Sequence, residues 1–142
     1  MVVLKTMKIL FLCRGNVGRS QFAEGLFKKY VHGDYEVSSA GTKLSGPEQP
    51  LIEIPYIENV IETMKEEGID VSKNYRTQLT EEMFDGADKV VLIIEGNDPL
   101  PKYMQNSDKL VRWDVPDPKG TDLATHKKVR DEIKELILKN FN

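Results

Sequence analysis

The chain has 142 residues, 39% hydrophobic and 30% charged, with a formal net charge of −3. That is the composition of a soluble globular protein, with enough length for one domain and a buried core. It excludes a general nucleic-acid binder, which would be basic, and no apolar run approaches the ~20 residues of a membrane span. The expected organisation is a single domain over residues 1–142, in which 1–6 form a short extension without the apolar core of a secretory signal. The expectation is a cytoplasmic protein with neither nucleic-acid nor membrane partners. Its one cysteine, Cys13, rules out a disulfide framework and a cysteine-based zinc site.

Lys8 to Leu12 reads as a buried strand, and the loop Cys13-Arg14-Gly15-Asn16-Val17-Gly18-Arg19-Ser20 follows it. From Gln21 to Val31 the apolar residues Phe22, Ala23, Leu26, Phe27 and Tyr30 keep helical spacing. Gly33-Asp34 marks a turn, and Tyr35 to Ser39 a second strand running out at Ala40-Gly41-Thr42. Gly46, Pro47 and Pro50 make 43–50 a loop. Pro55 suits the first turn of a helix whose stripe is Ile57, Val60, Ile61 and Met64, closed by Gly68.

Residues 74–79 read as irregular, and Thr80 caps a short helix reaching Phe84. Val90-Val91-Leu92-Ile93-Ile94 suits a central parallel strand. A proline-containing loop over 97–101 and a shorter strand, Lys109 to Trp113, come next. Asp114 to Gly120, with two prolines, cannot be helical. A last helix runs from about Asp122 with Val129, Ile133, Leu136 and Ile137 on one face. The alternation predicts an α/β, flavodoxin-like doubly wound fold: a four-stranded parallel sheet flanked by about five helices. Ligands of such sheets bind at the carboxyl ends of the strands, and Cys13, Ser39 and Asp117 each follow a strand.

A loop between a strand and a helix start aims backbone N–H groups at one spot, where the helix dipole adds positive potential. That spot suits an oxyanion, and the same field favours a thiolate at Cys13. Arg19 can fork two hydrogen bonds onto the anion, and the loop amides of residues 14–18 supply further donors. Ser20 can donate to the sulfur. Asn16 tolerates left-handed geometry and can tie the loop to Ser39. A leaving oxygen needs a proton, and Asp117, stiffened by Pro116 and Pro118, is the candidate acid. The loop is not a Walker A motif, since the four-residue gap and the lysine are missing. His32 and His126 fall at helix ends or surfaces without metal-ligand spacing.

These residues resemble the low-molecular-weight protein tyrosine phosphatases and the arsenate reductases that share their fold, over about Lys8 to Ile133. The signature is an early Cys-x5-Arg-Ser, here Cys13, Arg19 and Ser20, and a late Asp-Pro, here Asp117-Pro118, with Ser38 to Thr42 between. The resemblance implies Cys13 as phosphocysteine nucleophile, Arg19 as clamp and Asp117 as acid and then base. Arg14, Gly15, Asn16, Val17, Gly18 and Ser20 bind substrate, Ser39 and Pro118 support them, and neither a metal nor an organic cofactor takes part. The partners it implies are a phosphorylated protein or small phosphomonoester, with inorganic phosphate or another oxyanion as product or inhibitor. Oligomeric state stays open.

The sequence departs from the family pattern at three places. Gly18 stands where many members carry a second, protective cysteine. Lys119-Gly120-Thr121 replace the aromatic wall of tyrosine-specific members, and Tyr103, Trp113 or Tyr56 are candidate substitutes. Trp113 to Pro118 and Val129 to Ile133 look more like the arsenate reductases. Thioredoxin-coupled reductases of this fold need three cysteines, so that route is closed here; a route through an external low-molecular-weight thiol needs Cys13 alone. Phosphoarginine-specific relatives carry threonine where this chain has Val17. Three readings remain: a phosphomonoester hydrolase, a thiol-dependent arsenate reductase, and a non-catalytic binder of phosphate or phosphopeptide.

Overall fold

A computed structural model describes residues 5–141. Four strands, β1 (Met7–Cys13), β2 (Tyr35–Gly41), β3 (Lys89–Ile94) and β4 (Leu110–Asp114), form one parallel sheet in the order β2-β1-β3-β4. β1 is central: Met7 to Cys13 pair with Tyr35 to Gly41 on one side, and Ile9 to Leu12 with Lys89 to Leu92 on the other. The chain adds β2 beside β1, then crosses back to place β3 on the opposite side. The crevice at that reversal lies beyond the end of β1, where the Cys13 loop emerges.

Strand alternation divides β1 between two cores. Ile9 and Phe11 face one, with Val91, Ile93, Trp113 and the helices α1 (Arg19–Tyr30), α2 (Glu58–Lys65) and α4 (Leu123–Phe141). Leu10 and Leu12 face the other, with Val90, Leu92, Ile94, Leu79, Met104 and Phe84 of α3 (Glu81–Gly86). Both faces are covered, so β1 and β3 read as unbroken apolar runs. Phe141, near the end of α4, packs edge-on against Phe11, Phe27 and Trp113, with centroids 5.1–6.5 Å apart.

The doubly wound architecture is as expected; among the described residues the sheet is flanked by four α-helices and two short 3-10 turns, Leu51–Glu53 and Lys102–Met104, where about five helices were expected. The helix placed at Pro55 starts instead at Glu58, because Tyr56 takes a left-handed φ of 63° that interrupts the turn. Its end is as read: Gly68 has φ 75°, and the Ile69 amide donates back to Met64 O at 3.0 Å. Thr80 caps α3 by accepting from Met83 N at 3.2 Å. Residues 74–79 are not featureless. Tyr75 makes an isolated bridge to Pro50 and Gln78 one to Gly41, the last residue of β2, so this irregular segment is tied to the edge of the sheet. Residues 1–4 of the expected extension lie outside the described residues; Thr6 donates to Asp34 Oδ1 at 2.9 Å. Among the described residues no helix is long and apolar enough to cross a membrane.

Candidate active site

The loop 14–18 is folded back over the end of β1. Its start is held by the segment after β2, where Thr42 N donates to Cys13 O at 2.9 Å and Lys43 N to Arg14 O at 3.0 Å. Its amides point inward: Asn16 N donates to Cys13 Sγ at 3.2 Å. Gly15, Val17 and Gly18 amides donate to no acceptor among the described residues. They are the open part of the nest, at the N-terminus of α1. The close passage depends on Gly41, where a Cβ would stand 2.6 Å from Arg14 O and 3.0 Å from Asn16 N.

Asn16 is the hub. It is fully buried with φ 54°. Its Nδ2 donates to Ser20 Oγ at 2.7 Å and Ser39 Oγ at 3.1 Å, and its Oδ1 accepts from Thr77 N at 2.8 Å. Since Ser20 accepts from Asn16, its own proton is free to face Cys13 Sγ, 2.9 Å away. Ser39 likewise accepts from Asn16 and passes its proton to Glu24 Oε1 at 2.7 Å. Gln21 donates to Asn16 O at 3.2 Å and to Tyr75 O at 3.3 Å, tying the loop to the segment after α2.

The cation and the carboxylate meet at the other wall. Arg19 is 5% exposed; its Nη1 donates to Val115 O at 2.9 Å, and its Nη2 lies 3.7 Å from Asp117 Oδ2. The Asp117 side chain is half-exposed, and its Oδ1 accepts from Lys119 N at 3.0 Å. Pro118 is buried, its Cγ 3.8 Å from where a Gly18 side chain would begin. Arg14 reaches away from the nest to pair with Asp98 Oδ1 at 3.2 Å, across the crevice between β1 and β3.

The structure thus brings Cys13, Asn16, Ser20 and Ser39 into one network, and Arg19 and Asp117 into one ion pair. The aromatic substitutes fare differently. Trp113 is buried in the core beside Phe11, Tyr103 packs on Phe84, and Tyr56 stands almost fully exposed. His126, read as a helix-end or surface residue, does lie in the first turn of α4, but it is buried there, its ring hydrogen-bonded into the loop before the helix. Sequence reasoning missed Gln21, Thr77 and Arg76, whose roles lie in contacts distant along the chain. Arg76, for instance, holds the loop at Pro47 O at 2.8 Å.

Comparison with known proteins agrees with this fold. Residues 8–141 match the family model for low molecular weight phosphotyrosine protein phosphatase. An arsenate reductase of Halalkalibacterium halodurans is 37% identical over 136 residues, covering 91% of each chain. A low molecular weight protein tyrosine phosphatase from T. tengcongensis superposes with a TM-score of 0.75 at 32% identity, over 94% of this chain and 97% of that one. An arsenate reductase in the phosphate binding state gives a TM-score of 0.75 at 29% identity, over 94% and 95%. The match spans nearly the whole chain, and the chain belongs to the low molecular weight phosphotyrosine protein phosphatase family.

Proposed function

We propose that the protein hydrolyses phosphate monoesters, of the protein phosphotyrosine or small aryl type, through a phosphocysteine at Cys13. The observation that carries this is the 3.7 Å approach of Arg19 to Asp117 beside the nest, which joins anion clamp and proton donor in one site. In the first step the Cys13 thiolate attacks phosphorus as the ester P–O bond breaks. Arg19 and the amides of the 14–18 loop hold the equatorial oxygens, and protonated Asp117 delivers its proton to the leaving oxygen. In the second, the Asp117 carboxylate takes a proton from water, whose oxygen attacks phosphorus and breaks the S–P bond. Cys13 returns as thiolate, held by Ser20, and inorganic phosphate leaves.

The arsenate reductase relatives favour a second reading. Cys13 would attack arsenate, forming an S–As bond as an As–OH bond breaks and water leaves; an external thiolate would then attack the Cys13 sulfur and break the S–As bond, releasing arsenite and leaving a mixed disulfide. The two electrons come from the two sulfurs, and a second external thiol frees Cys13. With one cysteine, the chain cannot supply those thiols itself. Hydrolysis needs only water and Asp117, which makes it the reaction this chain completes unaided.

The test is p-nitrophenyl phosphate turnover by wild type, Cys13→Ser and Asp117→Asn, beside arsenite release with low-molecular-weight thiols. Abolition by the first substitution and a loss of roughly 10²–10⁴-fold by the second support hydrolysis. Equal rates in all three remove it. Arsenite release without phosphatase activity selects the second reading. Tight phosphate binding without either activity selects a non-catalytic binder.

A further inference from the structure

The loop bearing Asp117 is held at both ends. At its start Arg19 donates to Val115 O. At its far end lies His126, in the first turn of α4 and 4% exposed. Its Nδ1 is 2.9 Å from Asp122 O and 3.3 Å from Thr121 Oγ1. A carbonyl only accepts, so the proton is on Nδ1. The Thr121 hydroxyl passes its own proton to Pro118 O, and the Thr121 amide donates to the same carbonyl at 3.0 Å. Asn59 Nδ2, from α2, donates to Thr121 O at 3.2 Å. The chain of donors therefore runs from a buried ring to the carbonyl of the residue after Asp117. The Asp117 carboxyl itself is half-exposed and anchored within its own loop to Lys119 N, so its position depends on how 115–121 are held.

We propose that His126 is a positioning residue for the Asp117 carboxyl: its one Nδ1–H, shared between Asp122 O at 2.9 Å and Thr121 Oγ1 at 3.3 Å, orders the 121–122 segment, and Thr121 orders the Pro118 carbonyl next to the acid. This rests on the reading of Asp117 as proton donor. A residue there for volume alone could as well be phenylalanine. An imidazole N–H is costly to bury unless its bond is made, and here it is made to the one loop that must be exact for proton transfer.

A readout that core packing does not move is the dependence on leaving group. p-Nitrophenolate departs almost without protonation, whereas phenolate needs the acid. The ratio of kcat/KM for p-nitrophenyl phosphate to that for phenyl phosphate, taken within one preparation, also cancels any unfolded fraction. Asp117→Asn should raise that ratio by roughly 10²-fold, and His126→Phe by about tenfold. His126→Asn, whose Nδ2 stands where Nδ1 does, should return it to within about threefold of wild type. Thr121→Val, on an exposed loop, breaks the same chain outside the core and should raise the ratio as His126→Phe does. A wild-type ratio in both His126→Phe and Thr121→Val, with Asp117→Asn steep, overturns the proposal while leaving Asp117 its role. So does a His126→Asn ratio as high as that of His126→Phe. A flat ratio in Asp117→Asn overturns the acid assignment itself, and the proposal with it.

Discussion

Gly41 shows how much of the site rests on single residues. It lies at the end of β2, where the 14–18 loop crosses so closely that a Cβ would stand 2.6 Å from Arg14 O and 3.0 Å from Asn16 N, both backbone, besides 2.8 Å from the Leu44 side chain. Gly41→Ala must therefore displace Arg14 or Asn16. We expect a loss of about 1–3 kcal/mol in chemical denaturation, with a larger fractional loss of turnover than Ala substitution at the open position Gly86. Cys13, Arg19 and Asp117 were legible as candidates because the proposed chemistry calls for a thiolate, a cation and an acid, and the structure brings Arg19 within 3.7 Å of Asp117. Gln21, Thr77 and His126 were not, because a glutamine or histidine on a helix carries no local sign of its partner. Asn16 was legible in its contact with Ser39, while its larger task of accepting from Thr77, 61 positions on, was invisible.

Elements were legible where one face dominates. β1 and β3 announce themselves as continuous apolar runs because both their faces are covered. The start of α2 did not, since proline marks helix starts generally and only the left-handed Tyr56 moves this one to Glu58. The other end of α2 is clamped by charge. Glu67 accepts from Lys134 of α4 at 2.9 Å and from Tyr30 of α1 at 2.9 Å. The Lys134 hydrogen bond holds the Glu67 carboxyl below its usual range against burial, with the Tyr30 bond adding to it, and Glu67 in turn holds the Lys134 ammonium above its own. The carboxyl's contribution is complete above the unfolded value near ~4.3 and is lost as pH falls through the folded one; the ammonium's is complete below ~10.4 and lost as pH rises. Glu67→Gln should cost about 1 kcal/mol at pH 7, and denaturation at pH 3 should show that difference shrinking. An unchanged difference would remove the ion pair as its cause.

At the scale of the molecule, the net charge of −3 conceals a rim of three cations at the ends of the strands, one of which, Arg14, is paired with Asp98. Arg14 follows β1, Lys43 follows β2 and Lys119 follows β4; Lys43 N donates to Arg14 O, and Lys119 N donates to Asp117 Oδ1. Anionic substrates should therefore arrive faster at low ionic strength. Raising salt from about 0.01 to 0.15 M, over which the screening length falls from ~30 to ~8 Å, should lower kcat/KM more than kcat. Lys43→Ala should flatten that slope. Sequence composition could not foresee the rim, because it reports a sum while the fold reports a place.

The network around the sulfur has a further consequence. Asn16 gives its amide protons both ways, to Ser20 on the sulfur side and to Ser39 on the Glu24 side. A carboxamide is no stepping stone for hopping protons, so this row of polar atoms insulates rather than conducts. Cys13 itself keeps only 2% of its surface exposed. An anion seated on the proposed nest of amides would cover that remainder, so inorganic phosphate should slow alkylation of the sulfur, and an unchanged alkylation rate at saturating phosphate would count against the nest.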